Sequence, residues 1–177
     1  MKTVKKNKGF SLVEMMVTVA ILGILVAVIT PSLYTLFSSS TRGCATNLDS
    51  LLGKCQVYAM GRSENVVVMI YKADDGKIWG EYIEGTTHIG QPEQLGDSRV
   101  ALTATPPGGS AYTPTKAQPL YISFHCATGG LSLFGSDRDG VFTPSAGQLA
   151  RIDITSAGKP YEVLIYATTG KHEVNSL

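Results

Sequence analysis

The chain has 177 residues, of which 16% are charged, and this length suits one domain with a small additional element. The mean hydropathy of +0.10 comes mainly from residues 12–29, which include one charged side chain, Glu14. Four of the basic residues precede this run, so loss of residues 1–9 would leave eleven basic and fourteen acidic residues, a net charge of −3. That balance excludes a general electrostatic attraction to nucleic acid.

The apolar run near the N-terminus predicts a membrane segment. Its length of about 18 residues is just enough to cross a hydrocarbon core, and the preceding lysines would keep the N-terminus in the cytoplasm. Ordinary secretory cleavage needs small residues after the run, and large residues and Pro31 follow Ala27 there. Glu14 is costly in lipid and therefore predicts a charged partner.

The sequence KGFSLVE at residues 8–14 resembles the class III signal of type IV pilins and type II secretion pseudopilins. The resemblance implies that a prepilin peptidase cuts between Gly9 and Phe10 and that the new amino group of Phe10 is methylated. It also matches Pro31 to the proline that kinks the long helix of this family. Glu14 of one subunit would then neutralise the amine of Phe10 in its neighbour, so that two costly charges form a pair. The alternative is an uncleaved membrane anchor with an incidental glutamate.

The fold class expected is α+β, a long N-terminal helix packed on an antiparallel β-sheet head. Apolar residues at positions 44, 48, 51, 52, 55 and 59 follow one helical face, so one helix should run from about residue 10 to residue 60. We expect three parts: a leader peptide at 1–9, a transmembrane and filament-core helix at 10–36, and a periplasmic or extracellular pilin-like head at 37–177 that includes the second half of the helix.

Strand-like patterns follow the helix. β-Branched and apolar runs predict strands at 66–71, 78–83, 99–103, 120–125, 131–134, 150–155 and 161–167, with a hairpin turn at 74–77. Residues 105–119 read as a long, exposed, turn-rich loop. The stretch 59–64, the hairpin with Trp79 and Gly80, and the C-terminal strand ending at Lys171 resemble the heads of the GspH/FimT type of minor pilin or pseudopilin.

The three cysteines allow at most one internal disulfide. Cys44 and Cys55 lie eleven positions apart on one predicted helix, about 16 Å along its axis, and cannot pair with each other. A bridge would therefore join Cys126 to Cys44 or to Cys55. Three free thiols are the alternative.

Three groups of residues in the head are candidates for chemistry or binding. His125 adjoins Cys126, but neighbouring strand residues point to opposite faces, so no catalytic site and no cofactor are expected. Asp137 and Asp139 are a candidate calcium-binding turn; the simpler alternative is an Asx turn that joins two strands. Lys159, Lys171 and His172 are too few, and too close to Glu162 and Glu173, to predict DNA binding.

The function that these patterns predict is structural. The chain would be made in the bacterial inner membrane as a single-pass precursor with its head outside, and then enter a type IV pilus or a type II secretion pseudopilus. The expected partners are prepilin peptidase, other pilin or pseudopilin subunits, the inner-membrane assembly platform and, before assembly, membrane lipid. Two alternatives remain open: a binding module at the filament tip, either adhesin or DNA receptor, and a membrane-anchored β-domain that never polymerises.

Overall fold

The structure is a computed structural model that describes residues 11–61, 66–140 and 142–177, without the side chains of Val28 and residues 30–34. One helix precedes nine strands: α1 (Leu12–Gly61), β1 (Val66–Lys72), β2 (Ile78–Glu84), β3 (Thr87–Gly96), β4 (Ala101–Thr105), β5 (Leu120–Phe124), β6 (Leu131–Gly135), β7 (Leu149–Thr155), β8 (Tyr161–Tyr166) and β9 (His172–Ser176). The α+β class is confirmed, with a long N-terminal helix and a head of antiparallel strands.

Helix α1 is one continuous element of 50 residues. Ser11 caps its start, because its Oγ accepts a hydrogen bond from the backbone N–H of Glu14 at 3.2 Å. The helix continues through Pro31 and through the Ser/Thr-rich stretch at 38–41. The bend expected at Pro31 stays a prediction.

The strands form two sheets, and every pairing between named strands is antiparallel. The first sheet has the order β3-β2-β1-β5-β6, and the second has the order β4-β7-β8-β9. The hairpin predicted between β1 and β2 is confirmed. Its Gly76 has a φ of 80°, a left-handed conformation that glycine adopts without strain, and the N–H of Lys77 donates to Asp75 Oδ1.

The second half of α1 packs against both sheets and forms the centre of the hydrophobic core. Leu48, Leu51 and Leu52 are fully buried on the face that the sequence pattern predicts. Strand β2 lies close to this face: the hydroxyl of Tyr82 donates to the carbonyl of Leu51 at 3.3 Å, and a Cβ on Gly80 would lie 2.7 Å from Leu51 Cδ2. A side chain at position 80 would therefore require the side chains of Leu51 and Leu95 to shift.

Two strands were not predicted. Strand β3 is largely exposed and contains Gly90 and Pro92, so it lacks an alternating apolar pattern, and its backbone pairing with β2 holds it in place. Strand β9 is a short, polar edge strand that pairs with β8. As a result His88 and His172 both lie in strands.

Of the two alternatives for the cysteines, the structure has the three free thiols and not the bridge from Cys126. Cys44 and Cys55 are buried on α1, where Cys44 faces Gly96 and Cys55 Sγ lies 3.8 Å from the carbonyl oxygen of Val66. Burial raises the pKa of both thiols to about 12. Cys126 is exposed in the turn after β5, so neither buried thiol has it as a partner.

Candidate assembly interface

The first half of α1 presents an apolar surface to its surroundings. Of the side chains that the structure describes in this half, thirteen large apolar ones are between 51% and 76% exposed: Leu12, Val13, Met15, Met16, Val17, Val19, Ile21, Leu22, Ile24, Leu25, Val26, Ile29 and Leu36. Covering them with other apolar groups is worth roughly 1 kcal/mol each, or on the order of 10 kcal/mol together. That is as large as the whole stability of a typical domain, so this surface favours a helical or lipid environment.

Glu14 is the only charged side chain between residues 11 and 41, and it is exposed in the first turn of α1. The local contacts at this end come from Ser11, whose hydroxyl and carbonyl accept the backbone N–H groups of Glu14 and Met15, each at 3.2 Å. A carboxylate in the first turn also interacts favourably with the positive end of the helix dipole. The predicted cleavage residues, Gly9 and Phe10, lie outside the described residues.

The head contacts α1 at the point where the exposed half of the helix ends. The loop between β7 and β8 supplies two hydrogen bonds: the hydroxyl of Ser156 donates to the carbonyl of Phe37 at 3.2 Å, and the hydroxyl of Thr41 donates to the carbonyl of Lys159 at 2.8 Å. Between them Gly158 touches the helix backbone, since a Cβ there would lie 2.3 Å from the nitrogen of Ser38. We call this loop, residues 156–159, the collar.

A second contact supports the collar from the loop between β3 and β4. The carboxylate of Asp97 accepts a hydrogen bond from Ser40 on α1 at 3.1 Å and from Nε of Arg99 at 3.1 Å. The guanidinium of Arg99 also lies 5.8 Å from the centre of the Phe37 ring. The bonds from Arg99 hold the pKa of Asp97 below its usual value. The exposed half of α1 is therefore joined to the head on two sides.

The candidate calcium turn has the geometry of an Asx turn. Asp137 Oδ1 accepts the backbone N–H of Asp139 at 3.1 Å, and its carbonyl accepts the N–H of Gly140. Across residues 11–61, 66–140 and 142–177, no group of three or more His, Cys, Asp or Glu side chains is arranged to hold a metal ion.

The remaining candidates have local partners. His125 lies in the turn after β5, where its Nδ1 accepts the backbone N–H of Ala127 at 3.2 Å. Lys171 pairs with Glu173 at 2.5 Å, and His172 Nε2 lies 3.5 Å from the carboxylate of Asp49 on α1. The two basic side chains at the C-terminus thus each have an acidic neighbour.

Comparison with known families bears on the N-terminal segment. Residues 4–30 match the family model described as the prokaryotic N-terminal methylation motif. The chain carries this methylation motif. The match covers Gly9, Phe10, Glu14 and most of the exposed half of α1, and it indicates a precursor of the type IV pilin-like class, whose members are structural subunits and substrates of prepilin peptidase.

No curated protein and no solved structure matches the chain. Among the residues that the structure describes, no helical stretch has the length and hydropathy that crossing a membrane requires.

The collar was not visible in the sequence. Ser156 and Gly158 lie between two predicted strands, and Phe37 and Thr41 lie almost 120 residues earlier in the chain. The only signal was the composition of residues 38–41, three serines and a threonine inside a helix, which predicts hydrogen bonding to backbone groups.

Proposed function

We propose that this protein is a filament subunit of a type IV pilus or a type II secretion pseudopilus. Prepilin peptidase cuts between Gly9 and Phe10 and methylates Phe10, and the subunit then assembles through residues 10–36. The observation that supports this most is the combination of the methylation motif with a helix whose apolar half is exposed and attached to a folded head. The subunit is of the less abundant, GspH/FimT-like kind, a choice that rests on the head resemblance alone.

Before assembly, the apolar half of α1 is held in the inner membrane with the head outside. The support is the exposure of the apolar side chains of residues 12–27 and Ile29, together with the lysines that precede them. Resistance of the protein to carbonate extraction from membranes tests this step. Release of the protein into the soluble fraction would contradict it.

Glu14 acts in the contact between subunits. A lone carboxylate among apolar helices is unfavourable, and the new amine of Phe10 on a neighbouring subunit supplies the opposite charge. Removing one partner of such a pair leaves the other charge unpaired and costs about 3–5 kcal/mol. The exposed position of Glu14 in the first turn leaves its carboxylate accessible to a neighbour.

Filament incorporation of Glu14 variants tests this function. Glu14→Ala and the isosteric Glu14→Gln should both be inserted and cleaved but absent from sheared filaments or from a cross-linked pseudopilus. Glu93→Ala is the matched control, because it removes a carboxylate whose only partner in the described structure is the exposed Lys54. Normal incorporation of both Glu14 variants would exclude the charge pair. Absence of the wild-type protein from the filaments would instead favour a membrane-anchored domain that does not polymerise.

A further inference from the structure

The outward side of the first sheet carries a row of aromatic side chains that the assembly function does not use. Tyr71 and Trp79 are direct cross-strand partners on β1 and β2, and Met69 and Tyr121 are partners on β1 and β5. All four alternate with residues that face the core and are partly exposed. We call these four side chains the aromatic face.

The rings of the aromatic face are available to a ligand. In the part of the chain that the structure describes, Tyr71, Trp79 and Tyr121 do not stack on any other ring, and the indole N–H of Trp79 donates no hydrogen bond. Aromatic groups that keep a free face and a free donor can make both stacking and polar contacts.

Glu81 fixes one end of the aromatic face. One of its oxygens accepts the hydroxyl of Tyr71, and the other lies 2.8 Å from Nδ1 of His88 on β3. Burial, with the nearby Glu81, raises the pKa of Tyr71 to about 12, so its phenol remains a donor at neutral pH. The Tyr71 ring is therefore held in place before any ligand arrives, which lowers the entropy cost of binding.

A cavity of about 410 Å³ continues the aromatic face towards the turn between β2 and β3. Val67, Ser123 and Leu133 form one lateral row of the sheet at this point, and Arg138 and Asp139 line the cavity beside them. Within the described residues, neither the guanidinium of Arg138 nor the carboxylate of Asp139 has an ion pair or a side-chain hydrogen bond. A cavity of this size is in the range of small-ligand sites.

The charges around this surface decide between kinds of ligand. Glu81 lies beside His88, and Arg138 lies beside Asp139, so the surface has no excess of positive charge. Nucleic acid and anionic lipid need several cationic contacts, and only Arg138 is a permanent one. The strongly exposed apolar side chains of the described head lie elsewhere, on α1, the second sheet and the C-terminus, which disfavours a large apolar protein interface.

We propose that the aromatic face and the adjoining cavity bind a neutral oligosaccharide. A sugar ring offers an apolar C–H face that stacks on Trp79 or Tyr121, and hydroxyl groups that accept from Arg138 and donate to Asp139. Alternate residues of a strand lie about 6.7 Å apart, so the three rows from the cavity to Trp79 span about 13 Å. That length accommodates a short extended oligosaccharide. This inference goes beyond the assembly function and does not depend on it.

Trp79 is the only tryptophan of the chain, so its fluorescence reports directly on this surface. The full-length protein is kept in an amine-oxide detergent, because glycoside detergents would compete for the site. The probes are cellotriose, chitotriose, mannotriose and galactotriose, with trigalacturonic acid as the acidic comparator. At least one neutral probe should change the Trp79 emission saturably, and trigalacturonic acid should bind at least tenfold more weakly.

Two variants locate the binding, and a third is the control. Tyr121→Ala removes a stacking ring, and Arg138→Gln removes a charged donor without disturbing the core; each should weaken binding by about tenfold. Tyr166→Ala removes an exposed ring from the second sheet and should leave affinity within about twofold. Circular dichroism verifies that each variant is folded.

Three results would overturn the proposal. They are the absence of any saturable change with all four neutral probes, preference for trigalacturonic acid, and equal weakening by Tyr166→Ala. Cleavage at Phe10 and filament incorporation are measured on the same variants. A failure of sugar binding with normal incorporation would refute this inference and leave the assembly function intact.

Discussion

Gly158 is the residue whose substitution tests most sharply how the head holds α1. In Gly158→Ala the new Cβ would lie 2.3 Å from the nitrogen of Ser38, 2.7 Å from the carbonyl carbon of Phe37 and 2.8 Å from the Cα of Ser38. All three contacts are with helix backbone, which cannot rotate away as a side chain can. The collar must therefore move off α1.

The expected cost follows from the contacts that this movement breaks. The collar's two hydrogen bonds, from Ser156 to Phe37 and from Thr41 to Lys159, are worth about 0.5–1.5 kcal/mol each. Thr41 is fully buried but keeps the carbonyl of Ser38 as a second acceptor at 3.0 Å, which limits the penalty. Together with residual overpacking, we expect a loss of about 2–4 kcal/mol in the free energy of unfolding.

Thermal unfolding of the full-length protein in detergent, followed by Trp79 fluorescence, measures this loss. For a chain of this size the loss corresponds to a decrease in Tm of about 4–16 °C. Gly135→Ala in β6 is the matched control, because a Cβ there meets nothing within 4 Å and its φ is not positive. A Tm for Gly158→Ala equal to that of Gly135→Ala would show that the collar does not hold the helix.

Three further predictions concern the core, the thiols and the ion pair beside the collar. Leu51→Ala should lower the free energy of unfolding by about 2–5 kcal/mol, because Leu51 on α1 is fully buried against β2. Urea unfolding measures this loss, and a loss below about 1 kcal/mol would contradict the packing. At pH 8 a thiol reagent should label Cys126 alone in the native protein, because Cys44 and Cys55 are buried and their pKa is about 12; all three cysteines should be labelled after denaturation. If labelling of the denatured protein needs a reductant, the cysteines are not free thiols. Asp97→Asn should lower Tm at pH 7. Folding lowers the pKa of Asp97, so the Tm difference between variant and wild type should have its full size above pH 3.8, the ordinary pKa of the carboxyl group, and shrink as the pH falls below that value. A Tm difference that grows in acid would show that the hydrogen bonds to the ionised carboxylate of Asp97 are not its cause.

Much of the architecture was predictable because apolar patterns are local. The buried face of α1 repeats every three or four residues, and β1 is an almost continuous apolar run, so both could be located from the sequence alone. Strand β3 could not, because it is an edge strand that contributes few buried side chains and is held by backbone pairing.

The site was predictable only where a motif is contiguous. Glu14 and the segment around it stand in one short stretch, and the family model matches that stretch. The cysteines show the limit of this reasoning: helix spacing excluded a Cys44–Cys55 bridge but could not choose between a bridge from Cys126 and three free thiols, because it could not show that Cys126 lies in an exposed turn. The collar and the aromatic face likewise depend on contacts between distant segments.

The central claim, that this chain is a processed filament subunit, is tested most directly by intact mass and N-terminal sequencing of the protein from its native host. The measurement is repeated in a strain that lacks its prepilin peptidase. We predict a mature chain that begins at methylated Phe10 and that is replaced by the uncut precursor in the peptidase mutant. An uncut Met1 in the native host, or cleavage near Ala27, would contradict the claim.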